Sequence, residues 1–146
     1  MSTSANLSAI EAAIPHRKPM LLVDEIVSQS ETEIHCRKTF GADEFYVQGH
    51  FPEYPLVPGV ILCECALQTG AILLSSKTPS TGAVPVATRL DGVKFKKMVR
   101  PGDTIDIHVV LNDAVSTAYF MSAKIMVAGK LAARLDCACT VAEPTA

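Results

Sequence analysis

Between positions 105 and 141, apolar and polar residues take turns with few interruptions. Ile105, Ile107, Val109 and Leu111 form one alternating set. Tyr119, Met121, Ala123, Ile125 and Val127 form a second, and Leu131, Ala133, Leu135, Cys137, Cys139 and Val141 a third. A period of two marks a strand with one buried face. Gly129-Lys130 supplies a turn before the third set. Upstream, residues 20–28 and 33–40 read as a strand pair, and 83–91 and 93–99 as two more strands. Pro101-Gly102-Asp103 then makes a turn.

The period changes from Val60 to about Lys77. Ile61, Leu62, Cys63, Cys65, Ala66, Leu67, Ala71, Ile72, Leu73 and Leu74 are apolar nearly all round a helix. Such a helix is buried on most sides. Pro58 suits its start, because first-turn amides have no intrahelical partner. A shorter helix is expected at 7–13, stopped by Pro15. Residues 41–58 carry three prolines and two glycines and read as an irregular loop. A polar turn is expected at 78–82, and a frayed tail at 143–146. One apolar helix among five or six mostly antiparallel strands is an α+β pattern. A sheet curling round a single central helix satisfies it. That helix is too apolar for one side to face water, so a second apolar surface is needed, most simply a partner subunit.

Composition narrows the picture. A chain of 146 residues fits one domain spanning 1–146. It is 49% apolar and 19% charged, which predicts a packed core. The net charge of −2 argues against nucleic-acid binding. No apolar run reaches the roughly 20 residues of a membrane span, and residues 1–6 show no export signal, so a cytoplasmic location is expected. The five cysteines include two C-x-C pairs within apolar stretches, Cys63/Cys65 and Cys137/Cys139. An odd count and that spacing fit small buried hydrophobes better than a disulfide framework or a zinc site.

The chemistry concentrates at 49–68. Gly49-His50-Phe51-Pro52 places one histidine in a Gly/Pro-framed loop, and Glu64 falls in the first turns of the apolar helix. An imidazole suits proton abstraction near neutral pH. A carboxyl group among apolar neighbours such as Leu62, Cys63, Cys65 and Ala66 suits the acid role. Taken singly, His50 could be structural and Glu64 a satisfied buried carboxylate; the pair in this framing favours catalysis. The Gly59 N–H, at the positive end of the helix dipole, suits an enolate oxygen. Gln68 lies one turn after Glu64 on the same face, suited to orienting the carboxylate or to packing. His16, His35 and His108 have no comparable framing. No glycine-rich phosphate loop or metal-spaced cluster is present in the sequence, and neither metal nor cofactor is expected.

The stretch G-H-F-P-E-Y-P-L-V-P-G-V-I-L-C-E-C-A-L-Q from Gly49 to Gln68 resembles the β-hydroxyacyl-acyl carrier protein dehydratases of type II fatty-acid synthesis. Ile14-Pro15-His16-Arg17-Lys18-Pro19-Met20-Leu21-Leu22-Val23-Asp24, Val93-Lys94-Phe95 and Val99-Arg100-Pro101-Gly102-Asp103 extend the likeness. The resemblance implies the hotdog fold, an antiparallel sheet wrapped round one long central helix. It implies removal of water from a (3R)-hydroxyacyl chain on acyl carrier protein. It further implies a homodimer whose sites each take His50 from one subunit and Glu64 from the other; in the family such dimers often assemble into hexamers, trimers of dimers. Glutamate at 64 resembles the dehydratase-only branch; the dehydratase–isomerase branch carries aspartate. Phe51 and Gln68 join Gly59 as candidates for substrate contact. Lys94, Lys96, Lys97 and Arg100, with Arg17 and Lys18, are either a solvated face or a dock for the acidic carrier protein. The family often has an aromatic tunnel gate where this chain has Val84-Pro85-Val86-Ala87, so gating is expected to differ. Two alternatives remain: a hotdog thioesterase, although thioesterases of this fold usually lack the histidine, and a non-catalytic acyl-binding subunit.

Overall fold

A computed structural model describes residues 3–78 and 83–142. The turn expected at 78–82 and the tail at 143–146 thus fall almost wholly outside the described residues. Six strands form one antiparallel sheet in the order β1-β2-β4-β5-β6-β3. They are β1 (Glu25–Gln29), β2 (Glu33–Thr39), β3 (Val84–Phe95), β4 (Thr104–Val115), β5 (Ala118–Val127) and β6 (Lys130–Ala142). The helices are α1 (Thr3–Ala13), the single turn α2 (Phe45–Gln48) and α3 (Gly59–Leu74). A 3-10 turn, Ser75–Lys77, extends α3 to the expected end.

The alternation in β4, β5 and β6 places Ile105, Ile107, Val109, Met121, Ala123, Ile125, Ala133 and Leu135 in the core with Leu62, Cys65, Ala66 and Ile72–Leu74 of α3. The helix meets the sheet closely at Gly70, where an added Cβ would lie 3.0 Å from the Met121 methyl. This is the hotdog arrangement. By length and mean hydropathy, 19 residues and 1.5, Gly59–Lys77 is long enough to cross a membrane. That corrects the reading from apolar runs, but 61% of its 18-residue apolar window is buried inside the protein, as befits a core helix.

Several boundaries move. α1 begins at Thr3, not at 7. The first strand begins only at Glu25, because Arg17 to Leu21 make a turn, with Met20 N and Leu21 N donating to Arg17 O. The two strands expected at 83–91 and 93–99 merge into one, β3, which ends at Phe95, so 96–99 lie outside it: Gly92 adopts φ +56° inside a bulge against β6, and the pairing resumes beyond it. The loop at 41–58 contains α2, whose Tyr46 and Val47 are buried.

β1 and β3 are the sheet's edges. β3 spans 12 residues, and its Val86, Leu90 and Phe95 are 46%, 43% and 53% exposed. Its outer backbone edge has no strand beside it among the described residues.

Candidate active site

The loop bearing His50 is pinned at its start by charge. Lys38 Nζ donates to Glu44 Oε1 at 2.7 Å, Tyr46 OH donates to the same oxygen at 2.6 Å, and Gly41 N donates to Glu44 Oε2 at 2.8 Å. α2 follows, and His50 N donates to Val47 O at 3.1 Å. The His50 ring has Nδ1 3.0 Å from Leu56 O. A carbonyl only accepts, so the proton is assigned to Nδ1, which leaves Nε2 as the basic nitrogen. Phe51 next to it holds φ +53°, a left-handed conformation that a bulky side chain adopts at a cost of about 1–2 kcal/mol. Its ring is 4.4 Å from the His50 ring and 58% exposed.

On α3, Val60, Glu64 and Leu67 are spaced i, i+4 and i+7 and share a stripe. They are less buried than the core-facing residues between them. Gln68, only 1% exposed, joins this stripe to the chain's N-terminal segment. Its Nε2 donates to Glu64 Oε2 at 2.9 Å and to Met20 O at 2.7 Å, and its Oε1 accepts from Leu22 N at 2.9 Å. Gln68 is therefore both a packing residue and a partner of the carboxylate. A further neighbour escaped the sequence reading: His16 Nε2 lies 3.8 Å from Glu64 Oε2. His35 is also partnered, at 2.7 Å from Asp106 Oδ1, and its ring stacks on that of the exposed His108 with centroids 4.2 Å apart. Neither lies in the 49–68 segment.

The structure brings together Glu64, Gln68 and His16. It does not join His50 to Glu64 within one chain by an ion pair or hydrogen bond. Gly59 opens α3, and its N–H has no intrahelical acceptor. A Cβ at Gly59 would lie 2.8 Å from the Phe95 ring, so the absent side chain makes room for Phe95. Phe95, Met98, Leu56, Val60 and Lys96 line a groove of about 480 Å³ at this end of the helix. Lys94, Lys96, Lys97 and Arg100 are all exposed. Arg100 is not free, since its guanidinium bonds the Tyr54 hydroxyl and lies 5.1 Å from the Tyr54 ring centroid. A larger cavity of about 670 Å³, lined by Leu7, Leu21, Asp24 and Arg37, contains neither His50 nor Glu64, and size alone does not make it the site. All five cysteines are buried and free, with burial pushing the Cys36 thiol up to about 12.

Residues 26–131 match the ApeI-like dehydratase family. The chain is 41% identical over 128 residues to the 3-hydroxyacyl-[acyl-carrier-protein] dehydratase FabZ of Streptococcus gordonii, covering 88% of this chain and 91% of that one. The chain belongs to the 3-hydroxyacyl-acyl carrier protein dehydratases. The dehydratase FabZ of Clostridium perfringens is 39% identical over 127 residues, 87% of this chain and 91% of its own. In fold, this dehydratase superposes on the dehydratase heterocomplex ApeI:P from Xenorhabdus doucetiae with a TM-score of 0.80 at 16% identity, covering 92% of this chain and 91% of that one. At that identity the likeness speaks to the hotdog architecture alone.

Proposed function

We propose that this chain converts (3R)-3-hydroxyacyl-acyl carrier protein to the trans-2-enoyl thioester and water in cytoplasmic fatty-acid biosynthesis. His50 Nε2 takes the proton from the α-carbon. The thioester oxygen gathers the developing negative charge and accepts from the Gly59 N–H. Glu64 gives its proton to the β-hydroxyl, the C–O bond breaks, and water leaves. One proton enters His50 and one leaves Glu64, so exchange with solvent restores both for the next turnover. The observation that carries this reading is Glu64 itself. It is the only carboxylate on the core helix, it is half-buried on the one uncovered stripe, and it is held by a fully buried amide.

No ion pair or hydrogen bond joins His50 to Glu64 in one chain, which supports a site completed by a second copy. The exposed edge and apolar side chains of β3 support pairing there, with the uncovered stripe of α3 nearby as the wall of an acyl tunnel. Phe51 and Phe95 frame the mouth, and Phe95 stands in for the aromatic missing around Val86. Lys94, Lys96 and Lys97, with Arg100 held beside them by Tyr54, form the dock for the acidic carrier.

The direct test is hydration of an enoyl thioester, followed by loss of the conjugated absorbance. Wild type hydrates it without releasing thiol; thiol release would indicate a thioesterase. His50→Ala and Glu64→Gln each abolish hydration while the oligomer persists, and a variant retaining most of the rate would remove that residue from its role. Lys96→Glu with Lys97→Glu slows turnover of carrier-bound substrate but not of a small thioester. Equal slowing of both would count against docking.

A further inference from the structure

Glu64 Oε2 is approached by two nitrogens, Gln68 Nε2 at 2.9 Å and His16 Nε2 at 3.8 Å. The second distance is in ion-pair range and longer than a hydrogen bond. The other nitrogen of that ring, His16 Nδ1, is buried with no partner, the one side-chain nitrogen or oxygen so placed among the described residues. A proton on Nδ1 would be a buried donor without an acceptor, which is costly. The ring is therefore assigned as the Nε2–H tautomer, with its N–H toward Glu64.

The backbone around His16 is held from both sides. Arg17 Nη1 donates to His16 O at 2.7 Å and to Ile14 O at 2.9 Å, and Arg17 Nη2 donates to Glu11 O at 3.1 Å. Past His16, Gln68 fixes Met20 O and Leu22 N. The ring is thus positioned by contacts that do not depend on Glu64, and it leaves one nitrogen buried and unpartnered. A packing residue would not keep that stability cost, whereas a residue serving the site would.

We propose that His16 is a positioning residue for the catalytic acid: with Gln68 it holds Oε2 of Glu64 as the accepting oxygen, so that the acid's proton rides on Oε1, the oxygen presented to substrate. In a carboxylic acid the carbonyl oxygen is the stronger acceptor, so donors gathered on one oxygen favour the proton on the other. Two donors on Oε2 thus select one of two tautomers and one direction of proton delivery. Once the proton has left, the same donors stabilise the carboxylate. This rests on the reading of Glu64 as the acid.

The test compares His16→Leu with His16→Gln in the full-length oligomer, using a small enoyl thioester. Leucine fills the buried side without an orphaned nitrogen, so H16L melts at or above the wild-type temperature. It loses between about 10- and 100-fold in kcat with KM within about twofold. Glutamine offers an amide N–H close to the position of Nε2, and H16Q recovers most of that loss. Should H16L not fold, His16→Asn decides, because its shorter amide cannot reach Glu64 and must show the same fall. Wild-type kcat in H16L, or equal losses in H16L and H16Q, overturns the proposal. E64Q run alongside separates the two levels: an active E64Q means that Glu64 is not the acid and the inference falls with it. An inactive E64Q beside a fully active H16L removes His16 alone.

Discussion

Lys38 shows what a single charged residue contributes here. It lies on the inward-facing alternation of β2 with Ile34 and Cys36, yet is only 6% exposed. Its charge is balanced by Glu44 at 2.7 Å and Asp24 at 3.7 Å, and its ammonium lies 5.6 Å from the Phe40 ring centroid. Burial works to raise the Glu44 carboxyl, but hydrogen bonds from Lys38, Tyr46 and Gly41 outweigh it and leave the group below its ordinary value of 4.5. A depressed folded value means that the bound state of this carboxylate contributes stability above the unfolded value and loses it as pH falls through the folded one. Chemical denaturation should therefore show stability declining from about pH 4.5 downward. Glu44→Gln should show a flatter decline over that window. At neutral pH the same variant should be less stable by about 3 kcal/mol, since it leaves a buried ammonium with one distant partner. A loosened Glu44 also frees the start of the loop that ends at His50, so the variant should lose activity before it unfolds.

At the scale of elements, the contact between α3 and the sheet is set by Gly70. An alanine there gains about 1 kcal/mol in helix propensity. Its Cβ, however, meets the Met121 methyl and sulfur at 3.0 and 3.1 Å, and Met121 is 1% exposed with little room to retreat. Overpacking costs about 1–3 kcal/mol, so Gly70→Ala should be net destabilising by about 1 kcal/mol in a urea titration. A stabilised variant would mean that the helix and sheet can part without penalty. How legible these elements were in the sequence follows from how local their signals are. The period-two runs of β4, β5 and β6 and the all-round apolar helix depend on near neighbours, and both appear where expected. The break expected between 91 and 93 falls at Gly92, which a bulge absorbs once β6 is alongside. The site divides in the same way. His50, Glu64 and Gln68 sit in one short segment and could be picked out together. His16 could not, because a contact between residues 16 and 64 exists only after the segment beyond α1 has folded over α3. Phe95 against Gly59 and Tyr54 against Arg100 are likewise products of tertiary packing.

At the scale of the whole molecule, the question is whether one site belongs to one chain. If His50 and Glu64 act across a two-fold interface, two inactive proteins can repair each other. Mixing H50A with E64Q under subunit exchange yields mixed dimers in which one site has both native groups and the other neither. Equal mixing should restore about a quarter of the wild-type rate, because half the dimers are mixed and each has one good site. No recovery after demonstrated exchange would place both groups in one subunit. The bare border of β3 carries this argument further. Along this twelve-residue strand the amides and carbonyls that face away from β6, studded with Val86, Leu90 and Phe95, are tolerable only when something lies against them. If a second copy covers that border, as proposed, an isolated chain is sticky until the pair forms. Its melting temperature should therefore climb with protein concentration, and dilution alone should silence it.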